Sequence, residues 1–247
     1  MSRFVYGINP VIEALRAHKG GVQRVLVERS RDGKRSTGGD KVALAAKEAG
    51  VRIEEVAPGD LQRRSQGGVH QGVGCELAEF AYRELGDLLE LAKDEGRPAF
   101  LLVLDGVTDP QNLGALVRSA HALGVHGVVI PKDRAVGITP AAVKASAGAL
   151  EHCAIARVTN VARAVEDLKE AGVWTVALAA EGEEDIATID LTSPIAIVMG
   201  SEGAGVRELV RKTCDHVARI PMAGKVGSLN VSVAGAIALY EVSRQRG

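Results

Sequence analysis

The sequence predicts a two-part α/β protein, and three observations support this fold class. From Phe100 onward, short and nearly continuous apolar runs alternate with segments of helical periodicity, a pattern typical of parallel strands covered by helices on both faces. A smaller alternation of helices and strands precedes it within residues 1–75. With 247 residues, of which 46% are hydrophobic, the chain is long enough to bury a core in each part.

In the N-terminal part, each element is predicted from its pattern of apolar residues. Helical spacing occurs in PVIEALRAH and KVALAAKEAG, whereas VQRVLVE and VRIEEV have the apolar and β-branched character of strands. The segment RSRDGKRSTGGD, residues 29–40, contains several basic residues and no apolar one. It predicts a mobile basic loop, either a contact for a polyanion or a solvated connection.

The same patterns predict the domain boundaries. We expect a small α/β domain at residues 1–75, a linker at residues 76–97 and a larger α/β domain at residues 98–247. The strands of the larger domain are predicted at FLLVLDGV, GVVIP, HCAIARV, VWTVALAA, IAIVMG and VARIPM. Its helices are predicted to begin near Asn112, Thr139, Val161, Val206 and Ser228.

Charge is distributed unevenly along the chain, although the formal net charge is only −1. Residues 1–75 contain 13 basic and 8 acidic residues, whereas residues 76–247 contain 17 and 23. This difference favours contact of the first part with a polyanion, with a merely solvated surface as the alternative. Aromatic residues make up 3% of the chain, which argues against recognition by base stacking.

Several classes of protein and site are disfavoured. No stretch reaches the roughly 18 apolar residues that a membrane span requires, so we expect a cytoplasmic protein with no membrane partner. Cys75, Cys153 and Cys214 lack CxxC spacing, and the six histidines lack ligand spacing. We therefore expect neither a disulfide framework nor a metal site.

Open parallel sheets bind ligands beyond the carboxyl ends of their strands, so the residues that follow each strand are candidate site residues. In LDGVTDPQNLGALVRSAHALGV, residues 104–125, Asp109 and Pro110 end an extended stretch, and Asn112 is placed to cap a helix. Arg118 follows six residues later, on or beside the apolar face of that helix. The usual alternative for a lone helical arginine is a surface position.

Two later strands run into glycine-rich turns. IVMGSEGAGVREL orders its glycines as GxxGxG, which is neither the dinucleotide fingerprint GxGxxG nor the phosphate loop GxxxxGK[ST]. There, Gly200 would let backbone approach a ligand, and Glu202 is either a site residue or a first-turn acid favoured by the helix dipole. In RIPMAGKVGSLNVSVAGAIALYEVSRQR, Ser228 or Asn230 can cap a helix rich in small residues.

Together these segments resemble the motif set of the SpoU group, also called the TrmH group, of RNA ribose methyltransferases in the SPOUT superfamily. DPQNLGALVRSA, IVMGSEGAGV and IPMAGKVGSLNVSVAGAIALYE match the three motifs in order and separation. VYGINPVIEAL and VHQGV resemble the accessory RNA-binding domain of the bacterial enzymes that methylate a guanosine in 23S ribosomal RNA. The resemblance spans almost the whole chain.

The resemblance implies a SPOUT fold, in which the C-terminal part of the α/β domain threads through a loop to form a trefoil knot. It also implies methyl transfer from S-adenosylmethionine to a ribose 2′-hydroxyl of 23S ribosomal RNA. The enzyme would be a homodimer, for which Ala234, Gly235 and Ala238 offer a closely packed interface. The implied cofactor-binding residues are Gly200, Ile220, Met222 and Leu229. The implied catalytic or substrate-positioning residues are Asn112, Arg118, Glu202, Ser228 and Asn230.

A guanidinium rarely gives up its proton in a protein, so Arg118 is a poor general base. We assign to it the bidentate binding of the phosphate beside the target ribose. Glu202 would orient Arg118, and Ser228 and Asn230 would fix the local geometry.

Two other functions compete with this interpretation. A non-enzymatic RNA-binding protein would also use a basic N-terminal module, and binding of S-adenosylmethionine would distinguish the two. A nicotinamide-dependent oxidoreductase is disfavoured, because the chain lacks GxGxxG and an acidic residue at the expected distance.

Overall fold

The computed structural model describes residues 2–18, 20–29, 36–225 and 227–247. The strands are β1 (Ser2–Tyr6), β2 (Val22–Glu28), β3 (Ile53–Val56), β4 (Val73–Ala78), β5 (Phe100–Asp105), β6 (Gly127–Pro131), β7 (Ile155–Val158), β8 (Trp174–Leu178), β9 (Glu184–Asp185), β10 (Ile195–Gly200) and β11 (His216–Arg219). The helices are α1 (Ile8–Ala17), α2 (Thr37–Glu48), α3 (Asp60–Arg64), α4 (Leu85–Asp94), α5 (Pro110–Ala122), α6 (Pro140–Ala145), α7 (Val161–Glu170), α8 (Glu208–Thr213) and α9 (Val231–Arg246), with 3-10 turns at Ala149–Glu151 and Ile186–Thr188.

The chain divides into two compact units. The first comprises Met1–Ala81 and Ile138–His152, and the second comprises Tyr82–Gly137 and Cys153–Gly247. Among the described residues, no helix is long and apolar enough to span a bilayer. The same residues contain no group of three His, Cys, Asp or Glu side chains that could hold a metal ion.

The first unit is built on a mixed four-stranded sheet. Its strands lie in the order β1-β4-β2-β3, with β4 antiparallel to both neighbours and β2 parallel to β3. Helix α1 buries Val11, Ala14 and Leu15 on one face, as its apolar spacing predicts.

Residues Ile138–His152 belong to the first unit, although they lie between β6 and β7 in sequence. The side chain of Glu151 is fully buried, bonds Arg3 through both carboxylate oxygens and lies 2.8 Å from Nε2 of His18. A carboxylate can be buried at low cost only when it is paired, so these contacts tie the segment to β1 and the end of α1. The sequence pattern predicts one domain over residues 98–247, and the division between the units differs from this prediction at residues 138–152.

The expected linker at residues 76–97 is largely regular structure. It contains the second half of β4, where Glu76 and Leu77 pair with β1, and the whole of α4. The alternation of acidic and apolar residues therefore comes from a half-buried strand followed by an amphipathic helix. The division between the units falls after Ala81.

Part of the expected basic loop is helical. Ser36 caps α2, its Oγ accepting the N–H of Gly39 at 3.0 Å, so residues 37–40 form the first turn of that helix. Arg29 pairs with Glu55 on β3. Residues 30–35, which contain the rest of the predicted loop, lie outside the described residues.

The second unit confirms the predicted parallel sheet. Its strands lie in the order β7-β6-β5-β10-β8-β11-β9, and every neighbouring pair is parallel. The central strands β5 and β10 are buried along their whole length, which explains their nearly continuous apolar sequence. Each predicted strand is present within a few residues of its expected bounds. The trefoil knot stays a prediction.

Candidate active site

The candidate site lies at the carboxyl edge of the parallel sheet in the second unit. Asp105 and Gly200 are opposite each other at the ends of the neighbouring strands β5 and β10. Strand β11 runs parallel to β8, which is itself parallel to β10. The three motif-bearing segments therefore leave the sheet at the same edge, where open α/β sheets bind ligands.

Side chains from these three segments form a continuous hydrogen-bonded chain. Nδ2 of Asn112 donates to Oε1 of Glu202 at 2.5 Å, and Oδ1 of Asn112 accepts from Nδ2 of Asn230 at 3.1 Å. Asn112 is only 9% exposed, and its amide is oriented because one neighbour uses its donor and the other its acceptor. The structure thus brings together three of the five predicted catalytic or positioning residues.

The helix caps explain how Asn112 and Asn230 become available to this chain. Asp109, rather than the predicted Asn112, caps α5, its Oδ1 accepting the N–H of Gln111 at 3.0 Å. Pro110 follows at the first helical position, which suits its fixed φ. Asn112 is therefore inside the helix, with its amide free for the site. Asn230 does cap α9, with Oδ1 accepting the N–H of Ser232 at 2.9 Å while its Nδ2 reaches Asn112.

Arg118 and Ser228 are placed differently from the other predicted residues. Arg118 is exposed on α5 and forms no hydrogen bond or ion pair with any described residue. The expected contact from Glu202 to Arg118 is absent among the described residues, where Oε1 of Glu202 accepts from Asn112. Ser228 is exposed, and no described residue bonds its hydroxyl. Both side chains are free to contact a ligand from solution.

An ion pair that sequence reasoning missed holds the second motif in place. Asp105 is fully buried at the end of β5 and accepts from the backbone N–H of Arg207 at 2.9 Å and from its Nε at 2.8 Å. The hydrogen bond to Asp105 raises the pKa of the Arg207 guanidinium above its ordinary value. The available signal was an acidic residue ending the otherwise apolar run FLLVLD.

Gly200 is required by the turn that follows it. A Cβ at this position would lie 1.8 Å from the carbonyl carbon of Gly205 and 2.0 Å from the nitrogen of Val206. Ser201 and Gly205 close the turn with two backbone hydrogen bonds of 3.1 and 3.0 Å. The space that we expected a ligand to use is therefore filled by the chain itself, and Gly200 shapes the turn that presents Glu202.

The other three predicted cofactor residues lie in the segment between β11 and α9. Ile220 is half-buried, whereas Met222 and Leu229 are 42% and 37% exposed. The main-chain groups of residues 222–225 and 227–229 form no hydrogen bonds with described residues. Exposed apolar side chains beside free backbone donors and acceptors fit a nucleoside with a polar edge, such as the adenosine of S-adenosylmethionine.

Two of the three small residues predicted at the dimer interface, Gly235 and Ala238, are buried within their own chain, whereas Ala234 is half-buried. Gly235 is buried against α5, where a Cβ would lie 2.3 Å from Cδ2 of Leu116, and Ala238 is also buried. The exposed apolar residues of α9 are instead Val233, Ile237 and Tyr240. These three, at helical spacing, line one side of a groove of about 460 Å³ between α9 and α5.

Two family models match the chain. Residues 99–240 match the SpoU rRNA Methylase family, and residues 4–83 match the model for RNA 2′-O ribose methyltransferase substrate binding. The first match contains all nine predicted site residues, and the second lies within the first unit except for its last two residues.

Similar proteins include two bacterial relatives and a solved structure. RlmB of Coxiella burnetii, a 23S rRNA (guanosine-2′-O-)-methyltransferase, is 46% identical over 242 residues, covering 98% of this chain and 95% of RlmB. YacO of Bacillus subtilis, whose name places it among TrmH family tRNA/rRNA methyltransferases, is 43% identical over 243 residues, covering 98% and 96%. The SpoU methyltransferase AviRb from Streptomyces viridochromogenes, crystallised with AdoMet, has a TM-score of 0.78 at 28% identity, covering 99% of this chain and 90% of AviRb.

Proposed function

The chain belongs to the SpoU rRNA methylase family of RNA 2′-O-ribose methyltransferases, and we propose that it methylates a guanosine of 23S ribosomal RNA with S-adenosylmethionine. The observation that supports this activity best is the hydrogen-bonded chain of Asn112, Glu202 and Asn230, which joins the three motif segments at one edge of the sheet. The choice of substrate rests on the similarity to RlmB.

The segment between β11 and α9 would hold the cofactor. Its free backbone groups would bond the adenine and ribose, and Ile220, Met222 and Leu229 would cover the apolar faces. Gly200 would contribute indirectly, through the turn that it permits. When bound, S-adenosylmethionine supplies an electrophilic methyl group on a sulfonium.

The residues of the chain would act mainly by positioning the RNA. Arg118, exposed and without a partner among the described residues, would bind the phosphate beside the target ribose through its planar fork. Asn112, Glu202 and Asn230 would hold the surrounding backbone in a single arrangement, and the free hydroxyl of Ser228 would contact the substrate or cofactor. Correct alignment of the attacking hydroxyl is then the main contribution to the rate.

We also propose that the enzyme is a homodimer. The exposed stripe of Val233, Ile237 and Tyr240, 47%, 39% and 59% exposed, would be covered by a second copy of the chain. Mass in solution tests this proposal. Ile237→Glu should shift the species at micromolar concentration to the monomer, whereas an unmodified protein that is monomeric and fully active would contradict it.

Methyl transfer to defined RNAs tests the proposed function. The purified protein is incubated with S-adenosylmethionine carrying a tritiated methyl group and with in vitro transcribed 23S ribosomal RNA, 16S ribosomal RNA or tRNA. We expect label in 23S ribosomal RNA, at one guanosine whose phosphodiester resists alkaline hydrolysis. Label in tRNA alone would favour the other substrate class named for YacO. RNA binding without cofactor binding would favour the non-enzymatic alternative.

A further inference from the structure

Most lysine and arginine side chains of the second unit are neutralised by the fold. Arg163, Arg207 and Lys212, for example, pair with carboxylates. Among the described residues of this unit, the side chains that are exposed and have no such partner are Arg83, Arg118, Lys132, Arg134 and Lys225. Two of these, Lys132 and Arg134, lie in one short segment that none of the three motifs includes.

The segment after β6 leaves the sheet at the same edge as the motif segments. Strand β6 is parallel to β5, and the backbone N–H of Val136 donates to the carbonyl of Val107 at 3.0 Å. A Cβ built on Gly106 would lie 3.8 Å from Cβ of Ser201 and 3.9 Å from the carbonyl oxygen of Arg134. Gly106, on the segment that leads to Asn112, therefore lies beside both the main chain at Arg134 and the turn that carries Glu202.

The conformation of Arg134 is uncommon for a residue with a side chain. Its φ is +57°, in the left-handed region where glycine has no steric penalty and arginine does. The side chain is exposed and has no partner among the described residues, so the fold gains nothing from its charge. An exposed, unneutralised cation beside a ligand site is suited to a ligand with negative charge.

We propose that Lys132 and Arg134 bind phosphates of the RNA next to the target nucleotide and position its ribose in the site. This inference rests on the proposed function, because it takes RNA as the substrate. Arg134 would bind one phosphate with its planar fork, and Lys132 would bind another as a point charge. Asp133 is exposed between them, and its carboxylate would repel the same phosphates. Removing its charge should therefore strengthen RNA binding, whereas removing the two cations should weaken it.

The test compares salt dependence of RNA binding between matched variants. The double variant Lys132→Gln with Arg134→Gly removes both charges, and glycine suits the left-handed position. The dissociation constant for in vitro transcribed 23S ribosomal RNA is measured over a series of KCl concentrations. Loss of two phosphate contacts should reduce the slope of log K against log salt by about 1.4–1.8. The control Arg163→Gln with Lys212→Gln removes two paired cations and should leave the slope unchanged.

Two further measurements separate substrate contact from a structural role. The double variant should keep the melting temperature and the affinity for S-adenosylmethionine, and its loss of methylation should be mainly a rise in KM for RNA. Asp133→Asn removes a repelling charge and should tighten RNA binding, a gain that general damage to the loop cannot produce.

The outcomes distinguish this inference from the function on which it rests. An unchanged salt slope in the double variant, with methylation by the unmodified protein intact, overturns the role of Lys132 and Arg134 alone. If the double variant is destabilised, the RNA affinity of Asp133→Asn tests the proposal instead. An RNA affinity of Asp133→Asn equal to that of the unmodified protein overturns the proposal. An unmodified protein that neither binds nor methylates RNA overturns the proposed function as well.

Discussion

Both units pair more than half of their described arginines and lysines with carboxylates, but the units differ in net charge and in where their unpaired cations lie. Residues 1–75 are basic by count, with 13 basic and 8 acidic residues, yet six arginines of the first unit are paired with carboxylates. The pairs are Arg3–Glu151, Arg16–Glu13, Arg24–Glu54 and Glu76, Arg29–Glu55, Arg63–Asp60 and Arg64–Glu76. The second unit lies in the acidic part of the sequence but leaves Arg83, Arg118, Lys132, Arg134 and Lys225 exposed, with no side-chain partner among the described residues.

Net charge therefore does not predict which charges are available to a ligand. Arg24, for instance, bonds Glu54 and Glu76 at 2.8 Å each, so its charge stabilises the sheet. Among the described residues of the first unit, the exposed cations without a partner are Lys41, Lys47 and Arg52, and the half-buried Lys144 bonds only the neutral side chain of Gln71. We therefore expect the paired charges of the first unit to govern its stability, and the free charges of the second unit to contribute to RNA binding and turnover.

The largest expected effect is on stability, from Glu151→Gln in the first unit. The substitution leaves Arg3, only 14% exposed, without a charged partner, and breaking a buried pair in this way costs about 3–5 kcal/mol. Urea unfolding measures the loss. Glu208→Gln, which breaks an exposed pair with Lys212, is the control and should cost at most about 1 kcal/mol. Similar losses in both variants would contradict a fold-stabilising role specific to Glu151.

The next effect is on catalysis, from Arg118→Lys in the second unit. Lysine keeps the charge but removes the planar fork, so the single-turnover rate should fall about 100–1,000-fold, by analogy with the loss of one transition-state hydrogen-bond donor. The melting temperature should not change, because Arg118 has no partner among the described residues. Arg163→Lys, at a paired position on α7, is the matched control. A near-normal rate at saturating cofactor and RNA would make Arg118 a surface residue.

Asp105→Asn tests the buried ion pair of the second unit, whose charges stabilise the fold as the ion pairs of the first unit do. Loss of the Asp105–Arg207 pair should lower the free energy of unfolding by about 1.5–3 kcal/mol. This is less than the loss for Glu151→Gln, because Arg207 is 53% exposed and water can solvate its charge. Because Asp105 anchors the segment that follows Gly200, cofactor affinity should weaken as well. Equilibrium binding of S-adenosylmethionine measures this change. Glu181→Gln, which breaks the exposed pair with Arg211, should leave cofactor affinity as it is.

The smallest expected effect is a pH dependence of stability that arises from His126 in the second unit. His18 in the first unit is paired with a carboxylate, and His126 is not hydrogen-bonded to one among the described residues. His18 bonds the buried carboxylate of Glu151, whereas Nδ1 of His126 accepts the backbone N–H of Phe100 at 3.0 Å. Burial lowers the pKa of His126, so the unfolded chain binds its proton more readily. The resulting stability is complete above the unfolded pKa of about 6.5 and is lost as pH falls through the lowered folded value. Urea unfolding measured across this pH range should show that the free energy of unfolding decreases less in His126→Asn than in the unmodified protein.

Much of the second unit could be predicted from the sequence, because its strands are buried on both faces and have nearly continuous apolar runs. The strands and the approximate helix starts follow from such local patterns. The assignment of Ile138–His152 failed because helix α6 has the same local pattern whichever unit it packs on. The cap of α5 was misplaced because Asp109 and Asn112 are both good capping residues, and only the backbone distinguishes them.

The order of elements follows from the local periodicity of the sequence. The geometry of parallel strands then places the three glycine- and asparagine-containing segments at one edge of the sheet. The pairing of polar side chains, in contrast, depends on how distant elements pack. Glu202 bonds Asn112 across 90 residues, and Glu151 bonds Arg3 across 148. No local pattern encodes such pairs, because a buried polar group bonds whichever partner the packing of distant elements brings within reach.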